Sequence, residues 1–296
     1  MARFDLDADR EVCRLHRELR AGRYAPGPYR LHVICDPKTR LIAAAPIRDR
    51  IVHQAVIGEL GPHYEPTFID HSLACGTGRG PHRALLLYLR FVRQYQYRLS
   101  LDIRRYFPSI RHDVLLGLFQ HRLRDHETLA LLEQIVRAGG AVYRSPLAIK
   151  ALGLLDDPVP SGCGLAIGSY VSQWSGALYL DGLDHLVKRT LKIPGYLRYM
   201  DDFSLFCDDR AQLLAARTAI VDWLLRERGL TMGRKRWEVF DTREPSRFVG
   251  YRVSRGGIAP GPKVKRRMKK RLRAAAARGP EALERSLRSY RGVFLF

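Results

Sequence analysis

Helical and strand-like patterns alternate along the chain without a regular βαβ period, which predicts an α+β fold rather than a doubly wound sheet. Two local signals support this class. One is an apolar strand ending in an acidic residue, at residues 98–103; the other is an alternating segment at 196–207 that folds back on itself around Met200-Asp201.

From the N-terminus, residues 9–21 read as an amphipathic helix with Asp7 or Asp9 as its cap, ended by Gly22. Residues 29–35 and 40–45 flank the turn sequence Asp36-Pro37-Lys38-Thr39 and predict a β-hairpin. Pro46 opens a helix that Gly61-Pro62 should stop near Leu60, and the glycine-rich stretch Gly76-Thr77-Gly78-Arg79-Gly80 leads into another at 81–94. Helices follow at 112–124 and 127–139, then a long one at 169–191. After the 196–207 hairpin, Asp208 or Asp209 caps a helix whose Leu213, Leu214, Ile220, Val221, Leu224 and Leu225 share one face, with Gly229 at its end. Strands at 237–240 and 248–253 complete the core. In residues 263–273, Val264, Met268 and Leu272 recur every four positions, a helix with a narrow apolar stripe and a broad cationic face.

The 296 residues carry 51 Lys+Arg against 30 Asp+Glu, a net charge of +21. That excess points to a polyanionic partner, nucleic acid before an acidic membrane surface, for which no lipidation signal speaks. From 260 to 296 twelve Lys/Arg stand against Glu281 and Glu284, so this segment holds about half of the excess. No apolar run approaches the roughly 20 residues that span a bilayer, and the first ten residues have no apolar signal core, so export and membrane insertion are not expected. Five scattered cysteines without a C-x-x-C pattern fit a reducing cytoplasm and read as small apolar fillers, not as disulfides or a zinc site.

The sharpest chemical signal is Tyr199-Met200-Asp201-Asp202 in the hairpin, together with Asp102 at the end of the earlier strand. Nucleotidyl transfer needs two hard divalent cations, one activating the attacking oxygen and one neutralising the leaving pyrophosphate, and such cations take carboxylate oxygens.

These motifs resemble those of the reverse transcriptases, in the family's order and over nearly the whole chain. Arg48-Asp49-Arg50-Ile51-Val52-His53-Gln54-Ala55 is similar to the first fingers motif, and residues 73–82 to the second. Leu101-Asp102-Ile103-Arg104-Arg105-Tyr106-Phe107 is similar to the palm segment, Tyr199-Met200-Asp201-Asp202 to the catalytic box, and Phe248-Val249-Gly250-Tyr251 to the primer grip. The resemblance implies a right-hand polymerase: N-terminal helix and fingers at 1–98, palm at 99–256 with a fingers segment at about 115–160, and a short basic thumb at 257–296. It implies a catalytic triad of Asp102, Asp201 and Asp202, with the Ile103 carbonyl as a further ligand for two Mg²⁺ ions, Mn²⁺ being able to substitute. Phe107 falls where the family keeps a gate against the ribose 2′-hydroxyl. Tyr199, Met200, Gly250 and Tyr251, with Lys265, Arg266, Lys269 and Lys270 of the thumb, would contact primer and template.

The segment Gly164-Leu165-Ala166-Ile167-Gly168-Ser169-Tyr170-Val171-Ser172-Gln173 narrows the resemblance. Most reverse transcriptases carry glutamine before that glycine and end the motif in Ser-Pro; Ile167 and Ser172-Gln173 resemble the enzymes of diversity-generating retroelements. That implies error-prone copying of a template RNA in a bacterial or phage system, with Ile167, Gly168 and Gln173 near the incoming dNTP and a small accessory protein as partner. The alternatives are an antiviral-defence or group II intron-like setting, or an idle RNA-binding scaffold. Gly76-Thr77 stands where relatives have a basic residue for the triphosphate, leaving Arg79 and Arg83 as substitutes. Lys235 or Arg236 is positioned by the resemblance to protonate pyrophosphate.

Overall fold

The computed structural model describes residues 7–35, 39–233 and 237–294, with side chains as far as residue 291. Asp36, Pro37 and Lys38 of the first turn, and Lys235 and Arg236, lie outside the described residues.

The chain opens with α1 (Ala8–Arg20), the hairpin β1 (Arg30–Ile34) and β2 (Arg40–Ala44), and α2 (Ile47–Tyr64). α2 continues through Gly61-Pro62 instead of stopping there. Pro62 removes the donor that would reach the Gly58 carbonyl, but Gly58 is exposed and water can serve that oxygen. α3 (Pro81–Gln94) runs as expected. A four-stranded antiparallel sheet has the order β4-β5-β3-β6, from β3 (Tyr97–Asp102), β4 (Gly195–Tyr199), β5 (Asp202–Cys207) and β6 (Val239–Asp241). Between β3 and β4 lie a helical turn, α4 (Tyr106–Ser109), then α5 (His112–Gln120), α6 (His126–Ala141), α7 (Pro146–Leu152), α8 (Tyr170–Tyr179) and α9 (Asp181–His185).

The long helix expected at 169–191 is broken at Leu180, whose ψ of 5° leaves the helical region, and it resumes as α9 and a π-helical turn, Leu186–Thr190. The break turns Asp184 into the core, where it pairs with Arg198. α10 (Arg210–Arg228) is capped by Asp209, which accepts from Ala211 N–H, and ends at Gly229. Its buried face is Leu213, Ala216, Ile220 and Leu224; Leu225, expected there, is 58% exposed.

Alternation along the strands buries both faces of the sheet. Leu99, Leu101, Phe203 and Leu205 join Trp174 and the α10 leucines in the main core, whereas Leu197 and Phe206 meet Tyr88 and Phe91 of α3 on the other side. The strand expected at 248–253 is two: β7 (Ser246–Phe248) and β8 (Tyr251–Ser254), turned at Val249-Gly250 with φ of 40° and 89°. β9 (Gly257–Pro260) pairs with β8 to finish a three-stranded meander. α11 (Pro262–Ala276) and α12 (Pro280–Phe294) form the C-terminal helical pair. Sequence reading missed α12, although Gly279-Pro280 followed by Leu283, Leu287 and Tyr290 carries a start signal and helical spacing.

All five cysteines are free, and Cys13 and Cys35 are exposed, so the filler reading fails for those two. No helix among the described residues is long and apolar enough to cross a membrane.

Candidate active site

β3 and β5 pair so that Asp102 stands directly opposite Asp202, and β4 and β5 pair so that Tyr199 stands opposite Asp202. Met200 and Asp201 are therefore the two central residues of a tight turn, with Met200 at φ 56°, a left-handed conformation uncommon for a side chain of this size. Asp102 and Asp201 line one cavity of about 720 Å³ with Met200, Ile103, Phe107 and Ile167.

The backbone around Asp102 is closely fitted. Gly233 N–H donates to the Asp102 carbonyl at 2.8 Å, and Arg104 N–H donates to the Thr231 carbonyl at 2.8 Å. In that antiparallel bridge Ile103 faces Met232 as a non-hydrogen-bonded pair, so the Ile103 N–H and C=O point to the other edge, the β5 side. A Cβ at position 233 would lie 2.7 Å from Asp102 Oδ2, so only glycine leaves that carboxylate its room. Asp102 Oδ1 is buried and has no hydrogen-bond partner among the described residues. A buried carboxylate oxygen in that state fits a cation ligand. Among the described residues no three His, Cys, Asp or Glu side chains close into a metal-holding group.

The turn is held from below by Arg198, which is fully buried. Its guanidinium donates to Asp184 Oδ1 at 2.7 Å and Oδ2 at 2.6 Å, to Ser72 Oγ at 3.0 Å, to the Ala177 carbonyl at 3.1 Å and to the Met200 carbonyl at 3.2 Å. Tyr196 OH donates to Asp184 Oδ1 at 2.7 Å. Burial works against the charge of Arg198, but the Asp184 carboxylate overrides it and leaves the guanidinium pKa above its ordinary value. Sequence reading missed this group, because alternation along a hairpin would turn such a residue outward. Residues 71–73 cover the β4 edge instead, with Arg198 N–H donating to the His71 carbonyl at 2.9 Å.

Phe107 is part-buried, packs against Tyr106 with ring centroids 5.4 Å apart, and lines the cavity wall. Ile167 lines the same cavity, and its carbonyl accepts from Ala43 N–H at 2.7 Å, which ties it to β2. The next residue, Gly168, has φ of 111°, and a Cβ there would come within 3.1 Å of the Ala43 carbonyl. Behind it, Ser169 Oγ meets His53 Nδ1 at 3.3 Å and caps α8 by accepting from Ser172 N–H. Burial pushes the His53 imidazole below its ordinary pKa while Asp49 opposes the shift; Asp49 is itself buried and accepts from Tyr24 OH and Gly27 N–H.

The other expected contacts divide. Gln173 is exposed on α8 and does not line the cavity. Arg79 donates to the Ser72 carbonyl at 2.7 Å and lies over the Phe68 ring, so it braces its own loop. Arg83 donates to the Gly78 carbonyl at 3.3 Å. The cationic side chains lining the cavity are Arg40, at the start of β2, and Arg105, which also bonds the Asp157 carbonyl at 2.9 Å. Arg40 could have been suspected as a cation opening the strand whose Ala43 meets the Gly168 segment. Tyr199 and Tyr251 pack on one hydrophobic cluster with Val249, which brings the Met200 turn and the Gly250 turn to the same side of the sheet. Lys265, Arg266, Lys269 and Lys270 share a shallow groove on α11 with Pro262 and Arg273.

An acidic turn and an acidic strand end thus meet in one cavity with an aromatic wall, an aliphatic wall and two arginines. The family model described as "Reverse transcriptase (RNA-dependent DNA polymerase)" matches residues 35–253, and the chain belongs to that family. It is 27% identical over 135 residues to the group II intron-encoded protein LtrA of Lactococcus lactis subsp. cremoris, covering 45% of this chain and 22% of that protein. It is 28% identical over 136 residues to protein YkfC of Escherichia coli K12, covering 42% and 35%. The chain thus spans about a fifth to a third of the curated relatives it matches. A telomerase from Candida albicans, solved in complex with a TWJ fragment of telomeric RNA, shares the fold at TM-score 0.56 and 10% identity, over 86% of this chain and 51% of that one.

Proposed function

We propose that this chain is an RNA-directed DNA polymerase of a diversity-generating retroelement, with the four-stranded sheet as palm, the β1–β2 hairpin and α2–α3 as fingers, and α11–α12 as thumb. The observation that carries the reading is the common cavity of Asp102, Asp201, Phe107 and Ile167. Asp102, Asp201 and Asp202, with the Ile103 carbonyl, would hold two Mg²⁺ ions. When bound, these supply activation of the primer 3′-hydroxyl and neutralisation of the leaving pyrophosphate. Asp102 suits that role with a buried oxygen that no group among the described residues satisfies. Arg40 and Arg105 face the same space and suit the triphosphate, which the bidentate geometry of guanidinium fits. Phe107 lies against the ribose and Ile167 against the nascent base pair. Template RNA, the RNA/DNA hybrid and dNTPs are the partners of this reading, with a small accessory protein and a cytoplasmic location following from the retroelement assignment.

Asp102→Asn or Asp201→Asn should abolish primer extension while leaving RNA binding nearly intact, because phosphate contacts lie mostly elsewhere. Retention of even about a tenth of wild-type turnover in either variant overturns the metal-ligand assignment.

The likeness to LtrA favours a second reading, a group II intron-like polymerase. Fidelity separates the two. A glutamine amide would hold the incoming nucleotide by a hydrogen bond that Ile167 lacks, and about 1.4 kcal/mol of discrimination is tenfold in error rate. Ile167→Gln should lower misincorporation opposite template adenine without stopping synthesis, read by sequencing cDNA from one defined RNA template. Equal error spectra leave Ile167 as packing and remove the retroelement argument.

A further inference from the structure

We propose that the C-terminal helical pair carries a second groove for RNA, on the side of α11 away from Lys265, Arg266, Lys269 and Lys270, that takes the backbone of an RNA segment outside the copied hybrid. The inference rests on the reading that this chain copies RNA. At about 100° per residue, Lys265, Arg266, Lys269, Lys270 and Arg273 centre on one side of α11, and Arg267, Arg271 and Ala274 centre about 135° further round. The first side faces an open groove of about 580 Å³. The second faces α12 and bounds a separate groove of about 570 Å³, walled by Arg267 and Arg271 of α11, by Arg278 in the turn after it, and by Arg285, Ser289 and Tyr290 of α12.

The chemistry of this second groove is that of an anion site left open. Neither Arg267 nor Arg271 has a carboxylate partner among the described residues, and Arg278 bonds only the Ala274 carbonyl, at 3.3 Å. Arg285 has only Glu281, at 3.8 Å and well exposed. Packed cations of one sign repel each other until an anion lies between them. Ala274 and Ala282 form a low floor between the helices, which permits close approach of a backbone. Tyr290 OH is buried at the groove with no hydrogen-bond partner among the described residues, a donor and acceptor that a phosphate oxygen or a ribose 2′-hydroxyl would satisfy. Ser286 and Ser289 offer two more hydroxyls of the same kind. A stiff duplex lies along one side of a helix, so grooves this far apart on α11 engage two nucleic-acid segments at once. The strand that continues beyond a template–product hybrid is the template, and it is RNA.

The test uses the full chain and three probes: a blunt RNA/DNA hybrid, the same hybrid with its RNA strand extended by a stem-loop, and the same hybrid with a DNA extension of equal length. Binding is read by fluorescence anisotropy over a range of salt. The wild type should bind the RNA-extended hybrid about tenfold more tightly than the blunt one, and the DNA extension should add less. Arg267→Gln/Arg271→Gln/Arg278→Gln should lose that gain and keep blunt-hybrid affinity within about twofold, while neutralising Lys265, Arg266, Lys269 and Lys270 should do the reverse. Tyr290→Phe, which preserves packing, should lose part of the gain and serves if the triple variant does not fold. The proposal is overturned if the RNA extension adds nothing in the wild type, if the DNA extension adds as much, if the triple variant weakens both probes equally, or if Tyr290→Phe keeps the full gain. Primer extension on the blunt hybrid, with Asp201→Asn as control, tests the polymerase reading separately. Extension without an RNA gain counts against the groove alone.

Discussion

Arg198 and the cations of α11 show two opposite uses of the same kind of charge. Arg198 is 0% exposed and its guanidinium meets a carboxylate, a hydroxyl and two carbonyls. α11 carries eight Lys and Arg in fifteen residues, and among the described residues none of them pairs with a carboxylate. A charge taken from water must be matched on the spot, and once matched it fixes whatever it touches. A charge left in water fixes nothing and stays available to a polyanion. The buried arginine thus belongs to the geometry of the Met200-Asp201 turn, and the exposed ones, in the proposed function, to binding.

The largest effect should come from breaking the match. Asp184→Asn leaves Arg198 buried without its counter-charge, which costs about 3–5 kcal/mol. Urea unfolding measures it, and a loss below about 1 kcal/mol would show that water reaches the guanidinium. The pair exchanged together for apolar residues, Asp184→Leu with Arg198→Met, should recover most of that stability. Nucleotide incorporation should not recover with it, because the Met200 carbonyl has lost its donor at 3.2 Å. Full activity in the double variant would remove the positioning role.

The opposite prediction holds on α11. Neutralising Lys265, Arg266, Lys269 and Lys270 together should leave stability within about 0.5 kcal/mol of wild type, since these side chains touch little. It should weaken hybrid binding about equally for all sequences and flatten the log–log salt dependence by about 3–4 units, near 0.9 for each phosphate that is no longer neutralised. An unchanged slope would mean that this face meets solvent or protein.

The same contrast explains what could be read from the sequence. Exposed charge shows in composition, so the cationic helix was legible, and it was found nearly to its ends at Pro262 and Ala276. The acidic strand end and the two-residue turn were legible too, because apolar alternation and turn chemistry are local. The match between Asp184 and Arg198 was not, because it depends on a helix break at Leu180 and on a strap at 71–73 that covers the β4 edge. Both are tertiary choices that override helical spacing and strand alternation. The split of β7 from β8 was hidden for a related reason: Val249 takes φ of 40°, which no propensity assigns to a β-branched residue. Arg40 and Arg105 reach the cavity only because the Gly168 segment docks on β2 and α4 follows β3, an arrangement that joins residues far apart in the chain.

The smallest effect concerns a buried charge with an incomplete match. Asp181 lies one turn before Asp184 but pairs with no arginine among the described residues; His185 Nε2 stands 3.5 Å from its Oδ2, Thr67 Oγ1 is also at 3.5 Å, and its Oδ1 is buried with no partner among those residues. Burial pushes the Asp181 carboxyl up to about 6 from its ordinary value of 3.8, with the nearby Asp184 charge adding to the rise and His185 and Arg198 opposing it. A raised carboxyl pKa means that between pH 4 and 6 the folded state binds more protons than the unfolded one. This contribution to stability is therefore full below about pH 4, falls as pH rises to about 6, and is flat above that, the reverse of a salt-bridged aspartate. Asp181→Asn keeps a neutral, hydrogen-bonding side chain and should remove the fall, worth about 2–3 kcal/mol. The measurement is urea unfolding of both proteins from pH 4 to 7, taken as a difference so that other titrating groups cancel. Wild type should lose stability relative to the variant as pH rises through that window; parallel curves would show that His185 already matches the charge, and a difference of opposite sign would show that Asp181 is ion-paired like Asp184.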